Sequence, residues 1–148
     1  MQNKLAFFFF LSLVLWYSLV FFPIPELLIE GTASLLGPMG ILMVLLVLLL
    51  AGMVMQWKYV SLAAFPLLAA WGLLQFNAHW RTWIVEASPE QQEHYYQHFR
   101  GTWRIFPESA MHTVPDLYHF VLGLLIGINL ALVIIQITKL FSMKKRPA

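Results

Sequence analysis

Long hydrophobic runs alternate with short polar connections along this chain, and the lengths of the runs predict membrane-spanning helices. A hydrocarbon core about 30 Å thick needs roughly 20 apolar residues in a helix. Four runs approach or reach that length, at residues about 5–22, 40–55, 59–76 and 117–140. We therefore predict an all-α membrane protein with one four-helix transmembrane domain over residues 1–148.

Only Gln56, Trp57 and Lys58 separate the second run from the third. So short a connection predicts that these two helices form an antiparallel hairpin. A single bent helix is excluded by length, because the two runs together would overshoot the hydrocarbon core.

The longest polar stretch, about residues 77–116, is predicted to form a cap outside the membrane between the third and fourth helices. Ser88 can cap a helix that begins at Pro89, and Gln91 completes a capping box with Ser88. The cap should therefore contain a short helix from about Pro89 to Arg100.

The composition supports a membrane protein and excludes several other classes. The chain is 60% hydrophobic and only 11% charged, with a mean hydropathy of +0.73, whereas soluble domains usually carry about 25% charged residues. A net charge of +2 offers no basic surface for nucleic acid. The absence of cysteine excludes disulfides and thiolate metal sites.

Charge is divided between the two sides of the predicted membrane. The carboxylates all fall in the connections after the first and third helices: Glu26, Glu30, Glu86, Glu90, Glu93, Glu108 and Asp116. The lysines fall at the termini and in the hairpin turn: Lys4, Lys58, Lys139, Lys144 and Lys145. Because cytoplasmic connections retain positive charge, both termini should be cytoplasmic. The small size and tight connections favour a bacterial cytoplasmic (inner) membrane.

The fourth predicted helix carries a packing signal. Gly123, Gly127 and Ala131 recur every four residues, a spacing that lets a second helix approach closely. Asn129 and Gln136 fall on nearly the opposite face, and a side-chain amide in hydrocarbon requires a partner. Either the other three helices satisfy both faces, or one face contacts another subunit.

Histidines in the cap raise the question of a metal site. His94 and His98 are four residues apart on the predicted cap helix, a spacing at which two imidazoles can bind one zinc or copper ion. A third ligand could come from His112, Asp116 or His119. The motif lacks the glutamate of zinc proteases, so hydrogen-bonded or solvent-facing histidines without any cofactor are the simpler interpretation.

Asp116 and His119 form a candidate acid–imidazole pair at the membrane edge. A carboxylate that orients a histidine is half of a general-base arrangement. Because no nucleophile motif surrounds Ser109 or Thr113, capping of the fourth helix and an interfacial hydrogen bond are the preferred roles.

No ionisable residue lies in the middle of any predicted span, which argues against a pump or proton-coupled transporter. We therefore favour a non-enzymatic accessory or assembly subunit whose partners are other membrane protein subunits and the lipid bilayer. The alternatives are a protein that binds a metal, cofactor or quinone through the outer histidines, and a small lipid-modifying enzyme.

Overall fold

The computed structural model describes residues 4–24, 26–27 and 33–144, except the side chains of residues 143 and 144. Glu30 and Lys145, which contribute to the predicted charge asymmetry, lie outside these residues. Within them the secondary structure is helical, which confirms the predicted all-α class. The elements are α1 (Lys4–Ser18) with a 3₁₀ turn (Leu19–Phe21), α2 (Pro38–Val54), α3 (Val60–Gln75), a π-helical turn (Phe76–Trp80), α4 (Arg81–Ile84), α5 (Pro89–His98) and α6 (Leu117–Lys144).

Three continuous helical stretches of the described chain are long and apolar enough to cross a membrane. They cover Lys4–Phe21, Val60–Ile84 and Leu117–Ser142. The remaining predicted span, the second along the chain, corresponds to α2, an apolar helix of 17 residues that is shorter than these three. The chain thus has the composition and helix lengths of an integral membrane protein.

The third helix extends beyond its predicted end. We expected it to stop near Phe76, but the π-helical turn carries the helical path on through α4 to Ile84. The segment from Phe76 to Val85 contains no glycine or proline that would end a helix. His79 and Trp80 therefore lie on a continuous helix instead of at the start of a loop.

Helix α6 is central to the bundle and packs against both α3 and α1. The side chains at these contacts are fully or almost fully buried, among them Phe10 and Leu13 of α1, Leu68 of α3, and Leu122 and Ile126 of α6. Because lipid is as apolar as these side chains, close packing holds such helices together more than the hydrophobic effect does.

Two aromatic side chains of α1 add hydrogen bonds between elements. The Tyr17 hydroxyl donates to the Met39 carbonyl of α2 at 3.0 Å. Trp16 Nε1 donates to the Tyr118 carbonyl of α6 at 3.1 Å. Helix α1 is thereby hydrogen-bonded to both α2 and α6.

The cap helix α5 begins as predicted, with the Ser88 hydroxyl and the Gln91 side chain each accepting a hydrogen bond from the other residue's backbone N–H. It ends at His98, two residues earlier than expected. Gly101 follows with a φ of +85°, a conformation that L side chains rarely adopt, so the chain reverses there.

After this reversal the chain returns to the membrane helices through Trp103. The Trp103 backbone N–H donates to the Glu26 carbonyl at 2.7 Å, and its carbonyl accepts from the Leu117 N–H at 2.7 Å. Through Trp103, these bonds join the segment after α1 to the beginning of α6.

Candidate functional site

An open apolar groove runs between α3 and α6, with a volume of about 740 Å³. We call it the α3–α6 groove. It is lined by Ala69, Gly72, Leu73, Gln75, Phe76, Trp80, Gly123, Leu124, Ile126, Gly127, Ile128, Leu130 and Ala131. All three small residues of the stripe predicted on α6 are therefore part of its wall.

The three small positions differ in what covers them. A Cβ added at Gly123 would overlap the Trp80 indole, with Cε2 at 2.7 Å, so this position is already filled. A Cβ added at Gly127 would have no heavy atom within 4 Å, and Ala131 is exposed. The stripe is thus covered at its outer end and open along the two positions that follow.

The amides predicted on the opposite face of α6 have partners inside the bundle. Asn129 is 2% exposed, and its Nδ2 donates to the Phe9 carbonyl of α1 at 3.0 Å and to the Leu125 carbonyl at 2.8 Å. Gln136 accepts a hydrogen bond from the Ser61 hydroxyl of α3. The bundle therefore engages this face of α6 and leaves much of the stripe uncovered.

Two polar atoms in the groove wall are buried without a hydrogen-bond partner among the described residues. They are Gln75 Oε1, an acceptor, and Trp80 Nε1, a donor. Buried polar groups are paired in most proteins, so each such exception needs an explanation.

Aromatic rings close the outer end of the groove. Trp80 stacks on Phe120 with ring centroids 5.2 Å apart, and Trp83 contacts both Phe120 and Phe106 at 5.8 and 5.3 Å. These contacts pack the cap against the outer ends of the two helices that form the groove.

Asp116 and His119 come together at the beginning of α6. Asp116 Oδ1 accepts from the His119 backbone N–H at 2.9 Å, and Oδ2 pairs with His119 Nδ1 at 2.8 Å. Burial alone would raise the pKa of Asp116, but the hydrogen bonds and the charge of His119 outweigh burial and hold that pKa below its usual range. Asp116 is therefore an ionised N-cap of α6.

His79 and Tyr95 complete what we call the outer cluster: Asp116, His119, His79 and Tyr95. The His79 and His119 rings are stacked, with centroids 3.8 Å apart and an angle of 15° between their planes. His79 Nδ1 lies 3.0 Å from the Tyr95 hydroxyl. Burial raises the pKa of Tyr95, so the phenol keeps its proton and remains a neutral hydrogen-bond partner of His79.

The outer cluster joins the extended third helix, α5 and α6, and its chemistry is limited by its packing. Asp116 orients His119 as it would a general base, but both rings of the histidine stack are buried, with Phe99 against their edges. A histidine binds a metal through lone pairs in the plane of its ring, so two parallel rings cannot direct both lone pairs at one ion. The arrangement suits a structural connection better than catalysis or metal binding.

The cap histidines do not come together as a metal site. His94 and His98 are exposed on α5, and His112 is half-buried in the connection before α6. In the part of the chain that the structure describes, no three His, Cys, Asp or Glu side chains are grouped so that they could hold a metal ion.

Sequence reasoning overlooked four residues of these two regions: His79, Tyr95, Gln75 and Trp80. The lack of a helix-breaking residue after Phe76 could have indicated that His79 and Trp80 continue the helix. No protein-family model, curated protein or solved structure matches this chain. Its function must therefore be argued from the groove and the outer cluster.

Proposed function

We propose that this protein is a non-enzymatic accessory or assembly subunit that binds a transmembrane helix of another membrane protein in the α3–α6 groove. The observation that carries this proposal is the uncovered stripe at Gly127 and Ala131, beside Gly72 of α3. Small residues at this spacing let helix backbones approach closely, and dispersion contacts then stabilise the pair. The apolar lining matches a hydrophobic helix.

The proposal includes four spans with both termini in the cytoplasm, in a bacterial inner membrane. At 1.5 Å per residue, the 17 residues of α2 cover about 25 Å. A span a few ångströms short of the hydrocarbon core is accommodated by local thinning at modest cost. The positions of the lysines and carboxylates support this orientation.

The number of spans can be tested directly because the chain has no cysteine. A single cysteine is placed at Lys4 or at Lys58, and intact cells are treated with a membrane-impermeant maleimide. With α2 spanning, both positions lie inside and neither reacts until the membrane is opened. Reaction at one position only would mean that α2 does not cross the membrane.

Binding in the groove is tested by native mass spectrometry of the tagged protein from its native membrane in a mild detergent. The wild-type particle should contain at least one other membrane protein in fixed stoichiometry. Gly127→Leu and Ala131→Leu should release that protein because a leucine side chain prevents close approach. Nothing lies within 4 Å of a Cβ at Gly127, so the first variant should fold normally.

Ala51→Leu is the matched control, since Ala51 is exposed on α2 and outside the groove lining. It should retain the partner, and so should His94→Ala. A monomer or homo-oligomer from wild-type membranes would refute the proposed function. So would a partner that remains bound to both groove variants.

A further inference from the structure

The π-helical turn places Gln75 and Trp80 on the same side of the third helix. These residues are five apart, and five residues of an α-helix would separate two side chains by about 140° around the axis. In the π-helical turn the hydrogen bonds run between residues five apart, so such residues come into line. Both side chains line the α3–α6 groove as a result.

Each of these side chains carries an unpaired polar atom that is buried in the groove wall. Gln75 Oε1 can accept a hydrogen bond and Trp80 Nε1 can donate one, and neither has a partner among the described residues. A buried donor or acceptor that has no partner destabilises a protein, so each of these atoms would gain from one. π-helical turns also occur frequently at functional sites. These facts are independent of the spacing of small residues on α6.

We propose that the helix bound in the groove presents a hydroxyl or carboxamide side chain, from Ser, Thr, Asn or Gln, to Gln75 and Trp80. Such a side chain can donate to Gln75 Oε1 and accept from Trp80 Nε1. Both atoms are buried in the free protein, so the side chains of Gln75 and Trp80 must shift when the occupant binds. This inference rests on the proposed function and specifies the chemistry of the partner.

A helix fits these observations better than the other candidate occupants. A lipid acyl chain has no group that could pair with the two polar atoms, and it gains nothing from the close backbone approach that Gly127 permits. A second copy of this chain could offer α6 or α1, but the amides of α6, Asn129 and Gln136, are already engaged inside the bundle. The serine and threonine hydroxyls of these helices donate to backbone carbonyls of their own helices, at Ser12, Thr138 and Ser142.

The identity of the occupant is tested by photo-cross-linking in native membranes. A benzophenone amino acid replaces Leu73, which lines the groove and is 64% exposed. The cross-linked peptide should come from a hydrophobic span of another protein with Ser, Thr, Asn or Gln within one helical turn of the cross-link. A foreign span without such a residue overturns this inference but not the proposed function. Cross-links only to lipid or to this chain, or none at all, overturn both.

The two polar atoms are tested with Trp80→Phe and Gln75→Leu. Each should weaken binding of the identified partner by roughly 3- to 30-fold, the range expected for one hydrogen bond between membrane helices. Trp57→Phe is the matched control, because Trp57 is exposed in the hairpin turn outside the groove. It should leave the affinity unchanged.

Stability of the free protein separates this role from a purely structural one. Gln75→Leu keeps a side chain of similar size and removes an acceptor that has no donor, so the thermal midpoint of the isolated chain should stay the same or rise. A midpoint that falls together with the affinity would show that the Gln75 carboxamide supports the fold, and it would overturn the inference. Unchanged affinity in both Trp80→Phe and Gln75→Leu would also overturn it.

Discussion

Replacement of Asp116 should show that the outer cluster stabilises the fold. Asp116→Asn keeps an N-cap, since asparagine caps helices as well as aspartate does. It exchanges the charge-assisted bond to His119, about 1.5–3 kcal/mol, for a neutral one of about 0.5–1.5 kcal/mol. The expected loss of stability is about 1–2 kcal/mol. Asp116→Ala also removes the cap and should cost about 2–4 kcal/mol in total.

The assay is thermal unfolding of the purified protein in lipid nanodiscs, followed by circular dichroism. For a chain of this length, 1 kcal/mol corresponds to roughly 2–4 °C in the midpoint. His119→Ala and the double variant Asp116→Asn/His119→Ala complete a double-mutant cycle. Because the two side chains bond to each other at 2.8 Å, their effects should not add.

The pH dependence supplies a second check with a defined sign. The pKa of Asp116 is lower in the folded protein than its ordinary value of 3.8. Because folding lowers this pKa, the unfolded chain binds the proton more readily than the folded protein does. The stabilisation by Asp116 is therefore fully present above pH 3.8 and is lost as the pH falls through the folded pKa. The stability difference between wild type and Asp116→Asn should therefore shrink below about pH 4.

Three results would refute this account of the cluster. The first is an Asp116→Asn midpoint equal to that of wild type at neutral pH. The second is additivity of Asp116→Asn and His119→Ala. The third is a stability difference that grows as the pH falls, because the opposite sign would mean that the folded protein binds the proton more tightly.

Other predictions concern individual contacts. Tyr95→Phe removes the hydroxyl that bonds to His79 Nδ1 and should cost about 1 kcal/mol; hydrogen exchange in α5 should accelerate, and unchanged protection would contradict the bond. Asn129→Leu removes the bond to the Phe9 carbonyl and should cost about 0.6–1.7 kcal/mol, seen as a lower thermal midpoint; a rise would argue against it. Gly101→Ala forces a side chain into the left-handed region at about 1–2 kcal/mol, and an equal midpoint would be inconsistent with the φ of +85°.

The helical class and the cap helix could be predicted because their signals are local. Apolar runs indicate spans wherever they occur, and Ser88 with Gln91 marks the beginning of α5 through bonds within four residues. Asp116 and His119 are three apart, so a shared helix face could bring them together without knowledge of the rest of the fold.

The outer cluster and the groove depend on contacts that no local pattern specifies. His79 meets Tyr95 and His119 only because the third helix continues through a π-helical turn, for which the sequence carries no recognised signal. The spacing of Gly123 and Gly127 predicts close approach but cannot tell which position is covered. Trp80 covers the first and leaves the second open, and this depends on the relative placement of α3 and α6.

The two regions are connected through consecutive residues of that π-helical turn. His79 is held in the outer cluster by Tyr95 and by stacking on His119, while Trp80 lies over Gly123 at the outer end of the groove. A helix that draws the Trp80 indole towards itself must move the backbone next to His79 or strain the side chain. If the backbone moves, binding in the groove and stability of the cap are linked, and thermodynamic linkage requires each to change the other by the same factor. The outer cluster then helps to set how strongly the groove binds.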